Sequence, residues 1–185
     1  MDFTEREIKS SRGLLFRRPW AVERCPSECR FLFERFMGRG GGWVVAQGLL
    51  MLCWLFLTPK GHKLTGSALA RTFAAVLLTT GVVAGVSGAL VLGKSLTPFP
   101  KPPAQAQLVR RGVYAMVRHP VYAGLMALSL GWACLWRSLP GAALALIQAV
   151  LLDAKARREE RWLREKFPGY GEYAAKVRRL IPWVY

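Results

Sequence analysis

Two adjacent carboxylates, Glu159 and Glu160, follow an apolar run, and a His-Pro step, His119-Pro120, opens another. On a helical wheel Leu152, Ala156, Leu163 and Phe167 form one apolar stripe, with Glu159 about 20° from Leu152 and Glu160 at the other edge. A carboxylate turned inward at the edge of an apolar zone is costly unless a cation or hydrogen-bond donor meets it. Lys155, one turn earlier, is the plain partner, an ordinary helix pair worth about 0.2–0.5 kcal/mol. A second reading joins Glu159 to Arg118, His119 and the tyrosines 114, 122, 170 and 173 at the mouth of one helical hairpin, where convergent polar groups bind a ligand. Each member has a bland alternative. Arg118-His119-Pro120 is also a basic flank with Pro at a helix start, and the tyrosines with Trp162 are also an aromatic belt.

Metal chemistry finds little support. Cys25 and Cys29 sit in CPSEC, Cys53 and Cys134 fall inside apolar runs, and His62 and His119 are far apart. Paired Cys/His dyads of structural zinc sites are missing from that pattern, so the metal expectation is none.

The elements that position these residues are apolar runs. Residues 40–57, 73–92, 121–136 and 139–152 are read as about four transmembrane helices. Only Arg137-Ser138 separates the last two, which predicts a tight antiparallel hairpin. Gly81, Gly85 and Gly88 in the second run suit close helix packing in lipid. Prolines 98, 100, 102 and 103 make the following loop extended. Beyond residue 152 the fourth helix continues as DAKARREERWLREKF, Pro168-Gly169 stop it, and residues 170–180 read as a basic amphipathic helix. The final WVY reads as an interfacial aromatic group.

Charge agrees with this plan. The 185 residues carry 27 Lys/Arg against 11 acids, a net +16, yet 52% are hydrophobic. Acids are absent from residues 43–152, and 23 of the 27 basic residues lie in segments 1–42, 93–120 and 153–185. A nucleic-acid binder spreads its charge over a soluble surface; here most of it is topology signal. Basic loops stay cytoplasmic, so a multi-pass membrane protein with both termini cytoplasmic is expected. The organisation is then a basic cytoplasmic segment 1–42, with FLFERF as an interfacial piece, two membrane helices over 43–92, and a core over 93–185.

The ordered set LGKSLTPFPKPP, LVRRGVYAMVRHPVYAG, a helical hairpin and EERWLREKFPGYGEYAAKVRRLIPWVY resembles the isoprenylcysteine carboxyl methyltransferase family over residues 68–185. The same core occurs in phospholipid N-methyltransferases. The resemblance implies an all-α integral membrane enzyme with a cytoplasmic C-terminal helix, using S-adenosyl-L-methionine to methylate the carboxylate of a prenylated or otherwise lipidic acceptor. Carried over by position, it implies cofactor contacts at Gln107, Leu108, Val109, Tyr114, His119, Pro120, Val121, Tyr122 and Glu159. Arg118 and His119 would act in positioning, and Lys155 and Arg158 would face the substrate. Lys155 stands where the family has an arginine, a point charge in place of a two-bond clamp.

Phospholipid amine or small-thiol methylation shares the cofactor, and an amine must lose its proton first, with His119 or Glu160 as base. Membrane sterol reductases using NADPH share a related core but lack the Glu-Glu pair. A non-catalytic membrane protein binding anionic headgroups is the remaining class. Expected partners are thus a lipidic substrate and a bilayer with anionic headgroups, without nucleic acid.

Overall fold

The computed structural model describes residues 26–57 and 67–185. Cys25, the 58–66 connection with His62, and the segment before residue 26 lie outside the described residues, as do the side chains of 26–29. The chain divides after Arg35 into two units, and residues 36–185 carry everything described below for the site. The elements are α1 (Pro26–Gly38), α2 (Gly41–Leu57), α3 (Ala68–Leu92), α4 (Pro120–Leu135), α5 (Leu139–Lys166) and α6 (Tyr170–Lys176), with short 3-10 turns at Gly93–Ser95 and Gly112–Ala115. In α1, Phe31, Leu32 and Phe33 are exposed.

Two helices are long and apolar enough to cross a membrane, α3 with the turn after it and α5. At about 1.5 Å per residue, the 25 residues of α3 reach farther than the roughly 30 Å hydrocarbon core. The apolar helices α2 and α4 are shorter, at 17 and 16 residues. In α5 the charge-free part is 139–152, and from Asp153 onward the helix is polar. Large apolar side chains such as Leu69, Leu90, Leu139 and Leu146 point outward, as they do where lipid rather than water is the neighbour.

Local sequence sets the helix ends. The Ser67 hydroxyl accepts the Ala70 N–H at 3.3 Å, and the Ser138 hydroxyl accepts the Gly141 N–H at 3.0 Å. Both are N-caps that satisfy an otherwise unpaired helix donor. Between α4 and α5 only residues 136–138 intervene, and Arg137 adopts φ 48° to reverse the chain. The expected hairpin is therefore formed by a two-residue linker and its cap.

Small residues bring α3 and α4 into backbone contact. A methyl group on Gly124 would lie 2.7 Å from the Gly81 carbonyl oxygen and the Gly85 nitrogen, and one on Gly88 would lie 2.9 Å from the Pro120 ring. Those glycines stack where side chains would separate the helices. Pro120 is thus fully buried in this joint as the first residue of α4.

The C-terminal segment departs from expectation. The helix expected over 170–180 ends at Lys176, because the next residues pair with another backbone. Arg118 N–H donates to the Arg178 carbonyl at 2.9 Å and His119 N–H to the Arg179 carbonyl at 3.0 Å. This parallel bridge fixes the stretch before α4 against the tail. The terminal aromatic group is also more than an interfacial anchor. Trp183 and Val184 are exposed, but the Tyr185 hydroxyl donates to Asp153 at 3.1 Å and accepts from Arg157 and Arg179 at 2.8 and 2.9 Å.

Candidate active site

One cavity opens where the 96–109 loop, the start of α4, the polar half of α5 and α6 converge. Glu159, on α5, reaches it with about a quarter of its side chain exposed. The Tyr122 hydroxyl donates to Glu159 Oε2 at 2.8 Å, and His119 Nδ1 lies 3.8 Å from the same oxygen. The His119 and Tyr122 rings stack at 5.3 Å with nearly parallel planes. Burial raises the Glu159 pKa, while His119, the Tyr122 hydrogen bond and Lys155 oppose that rise.

Glu160 faces the other way and is the deeper of the two, with 5% of its side chain exposed. The wheel placed it at the edge of the apolar stripe; the structure buries it because two guanidinium groups and the His119 ring converge there. Arg118 Nη2 lies 3.0 Å from its Oε1, His119 Nε2 3.4 Å, and Arg179 donates to both oxygens at 3.0 and 3.2 Å. Burial alone would raise the Glu160 pKa, but the hydrogen bonds from His119 and Arg179 and the nearby charges outweigh it and hold the carboxyl down to about 2. Arg118 also donates to the Ala174 carbonyl at 2.6 Å. His119 is therefore flanked by a structural carboxylate on one side and a cavity carboxylate on the other.

Tyrosines form the far wall and are not an outward belt. Tyr114, Tyr170 and Tyr173 are all buried. The Tyr173 hydroxyl donates to the Tyr114 carbonyl at 2.6 Å. Burial pushes the Tyr173 hydroxyl up to about 12 and those of Tyr114 and Tyr170 up as well, so all three stay protonated donors. The Tyr170 hydroxyl, buried at the cavity, has no hydrogen-bond partner among the described residues.

Most of the residues singled out from sequence meet here. Gln107, Leu108, Val109, Tyr114, Arg118, His119, Val121, Tyr122 and Glu159 all line the cavity. Pro120 does not; it packs on Gly88. Arg158 does not either, since its guanidinium lies over the Trp162 ring at 4.8 Å. Lys155 acts on Glu159 through its charge, but its hydrogen bond goes to a residue far along the chain. Lys155 Nζ donates to Gln47 Oε1 of α2 at 2.7 Å and sits 5.3 Å over the Tyr122 ring. Leu92, Leu96, Thr97 and Leu163 also line the cavity, and nothing in their types distinguished them in the sequence. Gln47 did carry a signal, as the one side-chain amide in the 40–57 apolar run.

The sequence profile of the phospholipid methyltransferase family matches residues 69–169, more than half of the chain. The chain belongs to that family. The match runs from α3 to the residue before α6 and so contains the hairpin and both glutamates, while α2 lies before it. Among similar proteins, the cobalt-zinc-cadmium resistance protein CzcN of Cupriavidus metallidurans is 32% identical over 78% of this chain and 63% of its own length. The nickel-cobalt-cadmium resistance protein NccN of Alcaligenes xylosoxydans xylosoxydans is 32% identical over 58% of this chain and 51% of its own. A Delta(14)-sterol reductase of Mus musculus is 35% identical over 43% of this chain, but over 20% of its own length. The chain thus spans less than two thirds of the curated relatives it matches. Among the described residues, no group of three or more His, Cys, Asp or Glu is arranged to hold a metal ion.

The family fold also has a solved counterpart. The eukaryotic intramembrane Ras methyltransferase ICMT (isoprenylcysteine carboxyl methyltransferase) superposes with a TM-score of 0.58 at 21% identity, covering 81% of this chain and 53% of that one.

Proposed function

We propose that this family member is an integral membrane S-adenosylmethionine-dependent methyltransferase that methylates the carboxylate of a lipidic acceptor. The observation that carries the reading is the Tyr122–Glu159–His119 arrangement in a cavity that Gln107, Leu108 and Val109 also line. Four helices, α2 to α5, cross the membrane in this reading, and the basic segments place both termini on the cytoplasmic side.

The residues present fit the cofactor. A carboxylate held at the cavity wall suits an ammonium or ribose hydroxyls, and the unpartnered Tyr170 hydroxyl is a donor waiting for an acceptor such as a carboxylate. When bound, S-adenosylmethionine supplies a methyl group on a positively charged sulfur. The chain's own contribution is orientation and exclusion of water. Tyr122 fixes the Glu159 rotamer by donating to it, and the Glu160–Arg118–Arg179 cluster fixes His119 from behind. A carboxylate acceptor needs no general base, so positioning carries most of the acceleration. The low-dielectric edge of a membrane suits a reaction in which opposite charges are consumed.

The family description favours a second reading, a phospholipid amine as acceptor. That acceptor must be deprotonated before attack, and His119 is the cavity-lining group able to take the proton. Radiolabelled methyl transfer to N-acetyl-S-farnesylcysteine and to phosphatidylethanolamine separates the two. A base-labile labelled product from the first is expected. A base-stable product from the second alone would overturn the carboxylate reading.

A further inference from the structure

The tail beyond α6 carries a surface that the cofactor cavity does not use. Past Val177 the chain is extended and pairs with Val117, and successive side chains of an extended strand face opposite ways. Arg179 turns inward to Glu160 at 3.0 Å. Arg178 is exposed and lines a groove with Lys176, Trp183 and, from the turn before α4, Met116. Among the described residues neither Lys176 nor Arg178 makes an ion pair or a side-chain hydrogen bond, although Glu172 stands one turn before Lys176. Met116 is 53% and Trp183 83% exposed. Two uncompensated cations thus stand beside two uncovered apolar side chains. The display of Trp183 is built into the backbone. The Leu180 and Ile181 N–H groups donate to the Tyr185 carbonyl at 2.7 and 2.9 Å, and the Val184 and Tyr185 N–H groups donate to the Ile181 carbonyl at 3.2 and 3.1 Å. The loop so closed holds Trp183 at φ 61°, a left-handed conformation that is costly for a bulky residue.

The height of the groove is fixed as well. The Tyr185 hydroxyl donates to Asp153 at 3.1 Å, and Asp153 is where α5 leaves its charge-free stretch. Met116 lies four residues before Pro120, the first residue of the apolar α4. A tryptophan at that level sits between hydrocarbon and water, where indoles are enriched, and the cations beside it stand among headgroups. We infer that this groove binds one anionic phospholipid of the adjoining leaflet, with its phosphate against Lys176 and Arg178 and its glycerol and upper acyl chain along Met116 and Trp183. A zwitterionic headgroup brings a cation of its own to the same pair and is disfavoured by like-charge repulsion. The site is independent of the methyl-transfer reading and depends on α4 and α5 lying in the membrane. Its occupant anchors the strand whose backbone holds Arg118 and His119, so the bound lipid also stabilises the folded chain.

The test is native mass spectrometry of the detergent-solubilised full chain, titrated with dioleoylphosphatidylglycerol or dioleoylphosphatidylcholine. These probes share their chains and differ in net headgroup charge. The wild-type protein is expected to bind its first phosphatidylglycerol about tenfold more tightly than its first phosphatidylcholine. The double variant Lys176→Gln, Arg178→Gln should bring that preference below about threefold. Both side chains are exposed and unpartnered, so the variant keeps its fold. The control Lys101→Gln, Arg161→Gln removes the same charge from two exposed positions elsewhere and should leave the preference within about twofold. Trp183→Ser keeps both cations and should weaken the two lipids alike. Phosphatidylglycerol should also raise the melting temperature of the wild-type protein and not that of the Lys176/Arg178 variant. A wild-type preference near one, an unchanged preference in that variant, or an equal loss in the control would overturn the inference. sn-Glycerol 3-phosphate, which carries the phosphate without the chains, should not displace the lipid; displacement would assign the groove to a free phosphate and overturn the lipid as occupant.

Discussion

Replacing Glu160 with glutamine removes one charge from the buried cluster that carries His119 on its back. Its carboxyl is held at about 2 against an ordinary 4.5, and at about 1.4 kcal/mol per pH unit that difference is worth about 3 kcal/mol. Solvent screening along the partly exposed Arg179 trims this to about 2–3 kcal/mol. The sign follows from the folded pKa lying below the unfolded one. The stabilisation is complete above pH 4.5 and is lost as pH falls toward 2. A chain of this size loses about 2–4 °C of melting temperature per kcal/mol, so Glu160→Gln should melt about 5–10 °C lower at pH 7. A protonated glutamic acid resembles glutamine, so the two melting curves should approach one another in acid. At pH 3 the gap should be less than half its value at pH 7. Circular-dichroism melts in detergent between pH 7 and pH 3 provide the assay. Parallel curves, or a gap under about 2 °C at neutral pH, would refute the claim that Glu160 is an ionised structural anchor.

Three further outcomes are expected. Glu159→Gln should weaken S-adenosylhomocysteine binding at least tenfold, measured by calorimetry, with little change in melting temperature, since Glu159 faces the cavity and not the cluster. Tyr122→Phe removes the donor that fixes Glu159 and should weaken the same binding about three- to tenfold, in line with the roughly 0.5–1.5 kcal/mol net worth of an ordinary hydrogen bond. Gly124→Val places branched carbon where a single methyl already meets the Gly81 carbonyl at 2.7 Å; size-exclusion chromatography should show aggregated or absent protein, and a monodisperse peak with wild-type melting would contradict the close α3–α4 joint.

Much of the scaffold was legible because it obeys one-dimensional rules. Apolar run length, the short Arg137-Ser138 linker and glycines spaced along α3 are local signals, and the hairpin and the close packing of α3 follow from them. The convergence of His119, Tyr122 and Glu159 was legible for a different reason, since their ordered motifs resemble a known family. What stayed hidden depends on partners distant in sequence. The wheel put Lys155 beside Glu159, but could not know that Gln47, more than a hundred residues earlier, reaches the ammonium first. It placed Glu160 at the stripe's edge, because the guanidinium groups of Arg118 and Arg179 that bury it belong to a loop and to the tail. The end of α6 at Lys176 has the same origin. Residues 178 and 179 have no helix-breaking signal, and they leave the helix because the backbone of Arg118 and His119 offers a competing set of donors.

Titration of the detergent-solubilised full chain with S-adenosylhomocysteine tests the central claim most directly. Saturable heat at one site per chain, weakened in Glu159→Gln, is the predicted result. A folded protein that gives no binding heat would contradict the assignment of the cavity to the methyl donor.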